Sequence, residues 1–240
     1  YALFFTLIST MSSVAQQESR TRDNNPKGRS AYIVTTAIPK GFKNPTLVRT
    51  DNQIERFALS KRLANTPIPI PDSGLIELVK EVPPKMDIPA TKPLYAAVAQ
   101  IKIPAKIKKA LVILIPYPST NPDSHIEFAS VTQDLAEFTG ADCMYLNLSN
   151  APILVQLGTT KIELKPASKK IYDSGIIKVP TTPTTRFDYY DEKRKKWKLL
   201  GASSVVLNPA RREICVFYRD LKYNRIDFLG IICPVNKGSR

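Results

Sequence analysis

Proline placement constrains this chain more than any other feature. Twenty prolines stand against nine glycines, and Pro39, Pro104, Pro116, Pro152, Pro166, Pro180, Pro209 and Pro234 each sit at the edge of an apolar run. Proline has no N–H to give to a ladder, so a sheet accepts it at strand ends and edges while a helix interior rejects it. The apolar runs left between these prolines are strand-sized. Such a chain is expected to be all-β, a mainly antiparallel β-sandwich of immunoglobulin-like or jelly-roll-like kind, with two stacked sandwiches as the alternative.

Residues 140–166 carry the clearest pattern. Strands are expected over 143–148, 153–157 and 161–165, separated by Ser149-Asn150-Ala151-Pro152 and Gly158-Thr159-Thr160, and together they read as an antiparallel meander. In the third, Ile162 and Leu164 alternate with Lys161, Glu163 and Lys165, the period of two for a strand with one wet face. Residues 110–116, ALVILIP, are continuously apolar, so both faces should be covered and the strand should be central. Further strands are expected over 31–38, 75–82, 94–103 and 126–132, with a final hairpin over 212–219 and 226–232 turning near 222–225. Residues 51–64 suit either a helix or a short strand. The proline-rich segment 66–72 should be an edge or a connector. No fixed-period repeat is visible.

Residues 1–15 read as the remnant of a secretory signal peptide: apolar, uncharged, and ending on Ser13-Val14-Ala15 before Gln16, the small-x-small pattern of a cleavage site. The apolar stretch is shorter than the ~20 residues a bilayer span needs. Export is therefore expected, to the periplasm, the cell surface or the extracellular space. Residues 16–30 are polar and should form a flexible leader, and residues 31–236 a β-sandwich domain. The alternative division is into 31–85 and 93–236, because four prolines crowd residues 83–93.

The formal net charge of +14 falls entirely after residue 15. A basic exported protein attracts anionic partners: acidic polysaccharide, envelope lipid phosphates or extracellular nucleic acid. The charge is concentrated in Lys193, Arg194, Lys195, Lys196, Trp197 and Lys198, where basic side chains would meet phosphate or carboxylate and the single tryptophan would stack on a base or sugar. Against this stands the reading of a solvated turn whose Trp197 points inward as a core anchor. Lys102, Lys106, Lys108 and Lys109 form a second basic group that matters only if the fold unites it with the first.

Catalytic signals are weak. His125, the single histidine, sits beside Asp123 and Ser124, but sequence adjacency does not make a triad. A hydrolase built on His125 is the alternative to a binding or structural protein, which is expected to be non-enzymatic. No phosphate-cradling loop, metal-ligand spacing or cofactor motif is present, so no metal and no cofactor are expected. Asp188, Asp191 and Glu192 lie close together, yet the basic residues that follow would keep them ionised rather than fit them for general-acid work. Cys143, Cys215 and Cys233 are odd in number. The expected hairpin places Cys215 roughly opposite Cys233, so either a disulfide joins them or all three are buried thiols. Asn147-Leu148-Ser149 matches a glycosylation sequon but falls on an expected buried strand, which argues against its use.

Tyr95, Leu111-Val112-Ile113-Leu114-Ile115-Pro116, Phe138-Thr139-Gly140, Asn147-Leu148-Ser149, Lys165-Pro166, Trp197 and Arg211-Arg212 follow one another in an order that resembles a group of uncharacterised exported proteins of Verrucomicrobia-type bacteria. The likeness spans residues 57–234. It implies a signal peptide and an all-β domain and brings no catalytic residues. The abundance of lysine departs from that group's usual pattern.

Overall fold

Sixteen strands alternate with short turns along the computed structural model, which describes residues 28–51, 53–63, 66–83, 93–117 and 125–235. The expected signal-peptide segment and most of the expected leader lie outside the described residues. The first eight strands are β1 (Ser30–Thr35), β2 (Thr46–Thr50), β3 (Gln53–Phe57), β4 (Ile68–Pro69), β5 (Leu75–Val82), β6 (Leu94–Lys102), β7 (Lys109–Pro116) and β8 (Phe128–Asp134). After a 3-10 turn, Leu135–Glu137, come β9 (Cys143–Asn147), β10 (Ile153–Leu157), β11 (Thr160–Leu164), β12 (Ser168–Tyr172), β13 (Thr184–Asp191), β14 (Lys196–Ser204), β15 (Arg211–Asp220) and β16 (Arg225–Pro234).

These strands form four sheets of four, ordered β4-β1-β7-β8, β3-β2-β5-β6, β12-β9-β15-β16 and β11-β10-β13-β14. Adding eight to each strand number of the first two sheets reproduces the last two. The chain is thus one eight-stranded sandwich built twice. The correspondence reaches single residues. β1 runs parallel to β7, as β9 does to β15, and all other pairs are antiparallel. A bulge between Leu78 and Val79 leaves Val98 of β6 as the extra residue, and one between Phe187 and Asp188 does the same for Leu200 of β14. The amide of Thr36 donates to Leu114 O (2.9 Å), and at the matching position that of Leu148 donates to Phe217 O (2.8 Å).

Three apolar clusters separate four layers. Ile33, Ile76, Leu78, Ile101 and Val112 fill the first sandwich, while Tyr145, Val155, Phe187 and Phe217 fill the second. Between the two inner sheets lie Val34, Leu111, Ile113, Met144, Leu146 and Val216. This explains the unbroken apolar run of β7. Its Val112 and Leu114 face the first core, and its Leu111 and Ile113 face the second sandwich. Each such buried side chain contributes roughly 1.5–3 kcal/mol of transfer free energy.

The connection between the sandwiches is tied down by polar groups. Asp142 accepts from Thr139 N (2.9 Å) and Oγ1 (3.0 Å) and from Ser174 N (3.2 Å) and Oγ (3.3 Å), so a buried carboxylate joins residues 139–142 to the loop after β12. Gly140 meets the β14–β15 loop so closely that a Cβ there would lie 1.9 Å from Pro209 O.

Several expectations are corrected. Residues 143–165 are not a meander: β10 and β11 pair with each other, but β9 lies in the other sheet, between β12 and β15. Of the two forms open to residues 51–64, helix or short strand, the described residues take the strand, β3 at Gln53–Phe57. A division at 83–93 would cut the β5–β6 hairpin, where Val82 pairs with Leu94; the sheets instead separate between β8 and β9. Of the expected leader, Ser30 opens β1 and Arg29 is fixed to the fold, its guanidinium donating to the carbonyls of Ile107 (2.9 Å), Ile103 (3.2 Å) and Pro104 (2.7 Å).

Candidate functional site

The basic run 193–198 forms the turn and the opening of β14. Asp191, the last residue of β13, folds the turn by accepting from Lys193 N (3.0 Å) and Arg194 N (3.2 Å), and Lys195 closes it in the left-handed region at φ 50°. Lys195 pairs with Glu192 at 2.8 Å, and Lys198 pairs with Asp191. The Lys198 hydrogen bond holds the Asp191 carboxyl below the usual carboxylate range. Asp188 is buried and receives a two-pronged bond from Arg186, at 2.8 Å on each oxygen. All three carboxylates of the suspected acid cluster are therefore ion-paired. Lys193, Arg194 and Lys196 are exposed and make no ion pair among the described residues.

Trp197 is not an inward core anchor. It is 39% exposed and lies edge-on to its cross-strand partner Tyr190, with ring centroids 5.4 Å apart. The turn thus offers an aromatic pair beside three unpaired cations.

The fold sets a second, similarly built turn against the first. Between β15 and β16, Asp220 accepts from Lys222 N (2.8 Å) and Tyr223 N (3.2 Å), and Asn224 closes the turn at φ 49°. Lys222 Nζ lies 4.7 Å and the Arg225 guanidinium 5.2 Å from the Tyr223 ring centroid. A cleft of about 570 Å³ separates the two turns, with Tyr189, Tyr190, Leu199, Leu200 and Ile226 as its apolar wall and Lys193, Arg219 and Arg225 among its charges. Residues 218–223 also border a second cavity, of about 710 Å³, whose other wall includes Ile38, Lys40, Lys61 and Pro116 from the first sandwich. Arg219, Lys222, Tyr223 and Arg225 were not expected as site residues. Their signal was an alternation of basic and aromatic side chains in a stretch that reads first as a hairpin turn.

The two sandwiches differ at the edge where the cleft lies. In the first, Glu127 N donates to Val98 O (2.8 Å) and the Glu127 carboxylate pairs with Lys80 (2.8 Å), closing the edge between β6 and β8. Strand register maps these residues onto Arg225, Leu200 and Tyr189 in the second sandwich, and all three line the cleft. A cation in place of Glu127 and a tyrosine in place of Lys80 remove the ion pair that shuts the first sandwich.

Lys102, Lys106, Lys108 and Lys109 do not join this site. They run from the last residue of β6, Lys102, through the connecting turn to the first residue of β7, Lys109, whereas the far end of β7, Pro116, borders the second cavity. His125 is exposed just before β8, and Asp123 and Ser124 lie outside the described residues. Among the described residues no group of three or more His, Cys, Asp or Glu is placed to hold a metal.

The disulfide is not formed. Asp220 pairs with Arg225, a register that sets Cys215 opposite Gly230 and Cys233 opposite Arg212. Cys215 faces the second core and Cys233 the layer between the sandwiches, so the pleat points them to opposite faces of one sheet. Cys143, Cys215 and Cys233 are free and buried. Asn147 of the sequon is fully buried: its amide nitrogen donates to the carbonyls of Ala151, Leu164 and Lys165, and its oxygen accepts from Ser149 N and Oγ.

No family model matches the chain, and no curated protein matches it.

Proposed function

We propose that this chain is an exported, non-enzymatic binding protein of the cell envelope or extracellular space, and that it holds an anionic polymer or surface at the turn end of its second sandwich. The observation that carries this reading is the meeting of two turns, each folded by an aspartate, across one cleft that Lys193, Arg219 and Arg225 line together with Tyr190; Arg194, Lys196 and Trp197 stand on the first hairpin and Lys222 and Tyr223 on the second. Lys193, Arg194, Lys196 and Lys222 make no ion pair among the described residues and are free to attract anions, whereas Arg225 is paired with Asp227 at 3.5 Å. Aromatic faces beside these cations suit stacking on a sugar or base. A non-enzymatic role is supported by the ion-paired carboxylates around the tip and by thiols held neutral in the core. Export is supported by the apolar run that ends on Ser13-Val14-Ala15, and by the resemblance to exported proteins.

Dextran sulfate is a suitable probe. Binding should weaken steeply with salt, by tenfold or more between 50 and 200 mM if about three cations engage it. Replacing Lys193, Arg194 and Lys196 together by alanine should weaken it further while leaving the melting temperature unchanged. Undiminished binding by that variant would remove the turn from the site. Export is tested separately, by the N-terminal sequence of the protein recovered from outside the cytoplasm: a start at Gln16 is expected, and retention of an uncleaved chain inside the cell would overturn it.

A further inference from the structure

The basic end of the molecule is also where exposed apolar side chains gather. Leu221 is 51% and Tyr223 58% exposed, on either side of Lys222 at the β15–β16 turn. Across the second cavity the first sandwich adds Ile38 at 41%, and Tyr117 at 54% follows Pro116 on that cavity's wall. Lys40, Lys61, Lys222 and Arg225 are exposed around them, and Trp197 stands on the neighbouring turn.

Nothing in the turn's own construction calls for Leu221 to be apolar. Asp220 and Asn224 fold that turn through side-chain and backbone polarity. A soluble anionic polymer would use the cations and the aromatic faces, but it gives an aliphatic side chain no partner. A lipid surface uses all three: anionic headgroups for lysine and arginine, the interfacial zone for tyrosine and tryptophan, and the acyl boundary for leucine and isoleucine. Tyr218 fixes how the two contributing sandwiches meet here, its hydroxyl donating to Thr36 O at 3.4 Å.

Building on the anion-binding reading above, we propose that this end docks on an anionic lipid bilayer, with Leu221 and Tyr223 entering the headgroup region and Lys40, Lys61, Lys222 and Arg225 lying on the phosphates. The partner is a membrane surface and the attachment is peripheral. The β15–β16 turn is the deepest point, and Trp197 lies near the interface beside it.

Vesicles of phosphatidylglycerol mixed into phosphatidylcholine are the probe, with pure phosphatidylcholine vesicles and dextran sulfate as companions. The wild-type protein should cosediment with the anionic vesicles, and the emission of Trp197, the single tryptophan, should move to shorter wavelength as it does so. The double variant Leu221→Ser, Tyr223→Ser should lose at least tenfold in vesicle partition while keeping dextran sulfate affinity within twofold, and Leu221→Trp should bind vesicles more tightly than wild type. All these residues are exposed, so the fold should tolerate the changes. Binding to dextran sulfate without binding to vesicles would overturn the membrane assignment and leave the anion site standing, as would vesicle binding unmoved by the double variant. Binding to neither probe would overturn the anion site itself.

Discussion

The guanidinium of Arg212 lies 5.3 Å from the ring centroid of Phe138 and donates to the carbonyls of Phe138 (2.9 Å) and Leu135. Arg212 is the second residue of β15 in the second sandwich, and Phe138 lies in the connection from the first, so one side chain fastens the passage between them. Burial pulls its pKa down. Charge-assisted hydrogen bonds of this kind are worth about 1.5–3 kcal/mol, and losing the donor also strands two carbonyls. Arg212→Ala should therefore lower unfolding free energy by about 2–4 kcal/mol, read from urea denaturation. Arg212→Lys should recover little, because an ammonium cannot reproduce the planar fork over the ring.

Gly140 supplies a sharper steric test. A Cβ at this position would fall 1.9 Å from the backbone oxygen of Pro209, and backbone cannot swing aside as a side-chain tip can. Gly140→Ala should cost about 2 kcal/mol or more, in the range of overpacked cores. Gly230 in β16 is the control, since a Cβ there meets nothing within 4 Å. Gly230→Ala should change stability by less than about 0.5 kcal/mol, or raise it slightly. Thermal melts of the two variants should separate clearly, and equal stability would mean that the connection at Gly140 is looser than its contacts imply.

Asn147 joins three segments: its amide nitrogen reaches the carbonyls of Ala151 and Lys165, and its oxygen takes the Ser149 hydroxyl at 2.7 Å. Asn147→Ala leaves these buried groups without partners and should cost about 3 kcal/mol. The same burial governs the sequon. Expressed in a glycosylating host, the folded protein should carry no glycan at Asn147, and an intact-mass measurement showing one would mean that the residue is reached before it is buried.

Much of the fold is legible in the chain because the strands obey local rules. The 153–157 strand, the two-residue turn at Gly158 and the unbroken run of β7 each follow from polar alternation, turn chemistry or burial on both faces. The duplication is not legible, because equivalent positions carry unlike residues: Ile33 and Tyr145, Leu78 and Phe187, Val79 and Asp188. What persists is geometry, the bulge and the parallel pair, which no single side chain records. The meander was misread because the turn at 149–152 marks a change of direction without saying which sheet receives the chain. Half of the candidate site was legible as the run 193–198. The other half comes from residues 219–225, and only the pairing of β13–β16 into facing sheets makes the two turns neighbours.

The three thiols define how stability should respond to alkali. Burial, with help from the nearby Glu213 carboxylate, pushes the Cys143 thiol up to about 12, and burial pushes Cys233 up to about 11. Burial raises Cys215 as well, with Cys143 and Glu213 adding to it. In the unfolded chain each would ionise near 8.5. Below that pH both states hold the same thiol protons and stability should not depend on them. Above it the unfolded chain releases protons that the folded chain keeps, so the unfolded state gains and stability falls as pH rises. The slope should be about 1.4 kcal/mol per pH unit for each fully titrating thiol, and the Cys233 contribution should level off near pH 11. Urea denaturation at pH 7, 8, 9 and 10 should show a plateau followed by this decline, and Cys233→Ala should make the decline shallower by about one thiol's share. The native thiols should react with a disulfide reagent no faster than the protein opens, since each is buried and protonated. Rapid labelling of native protein at pH 8, or stability undiminished at pH 10, would show that the cysteines are not held as the packing requires.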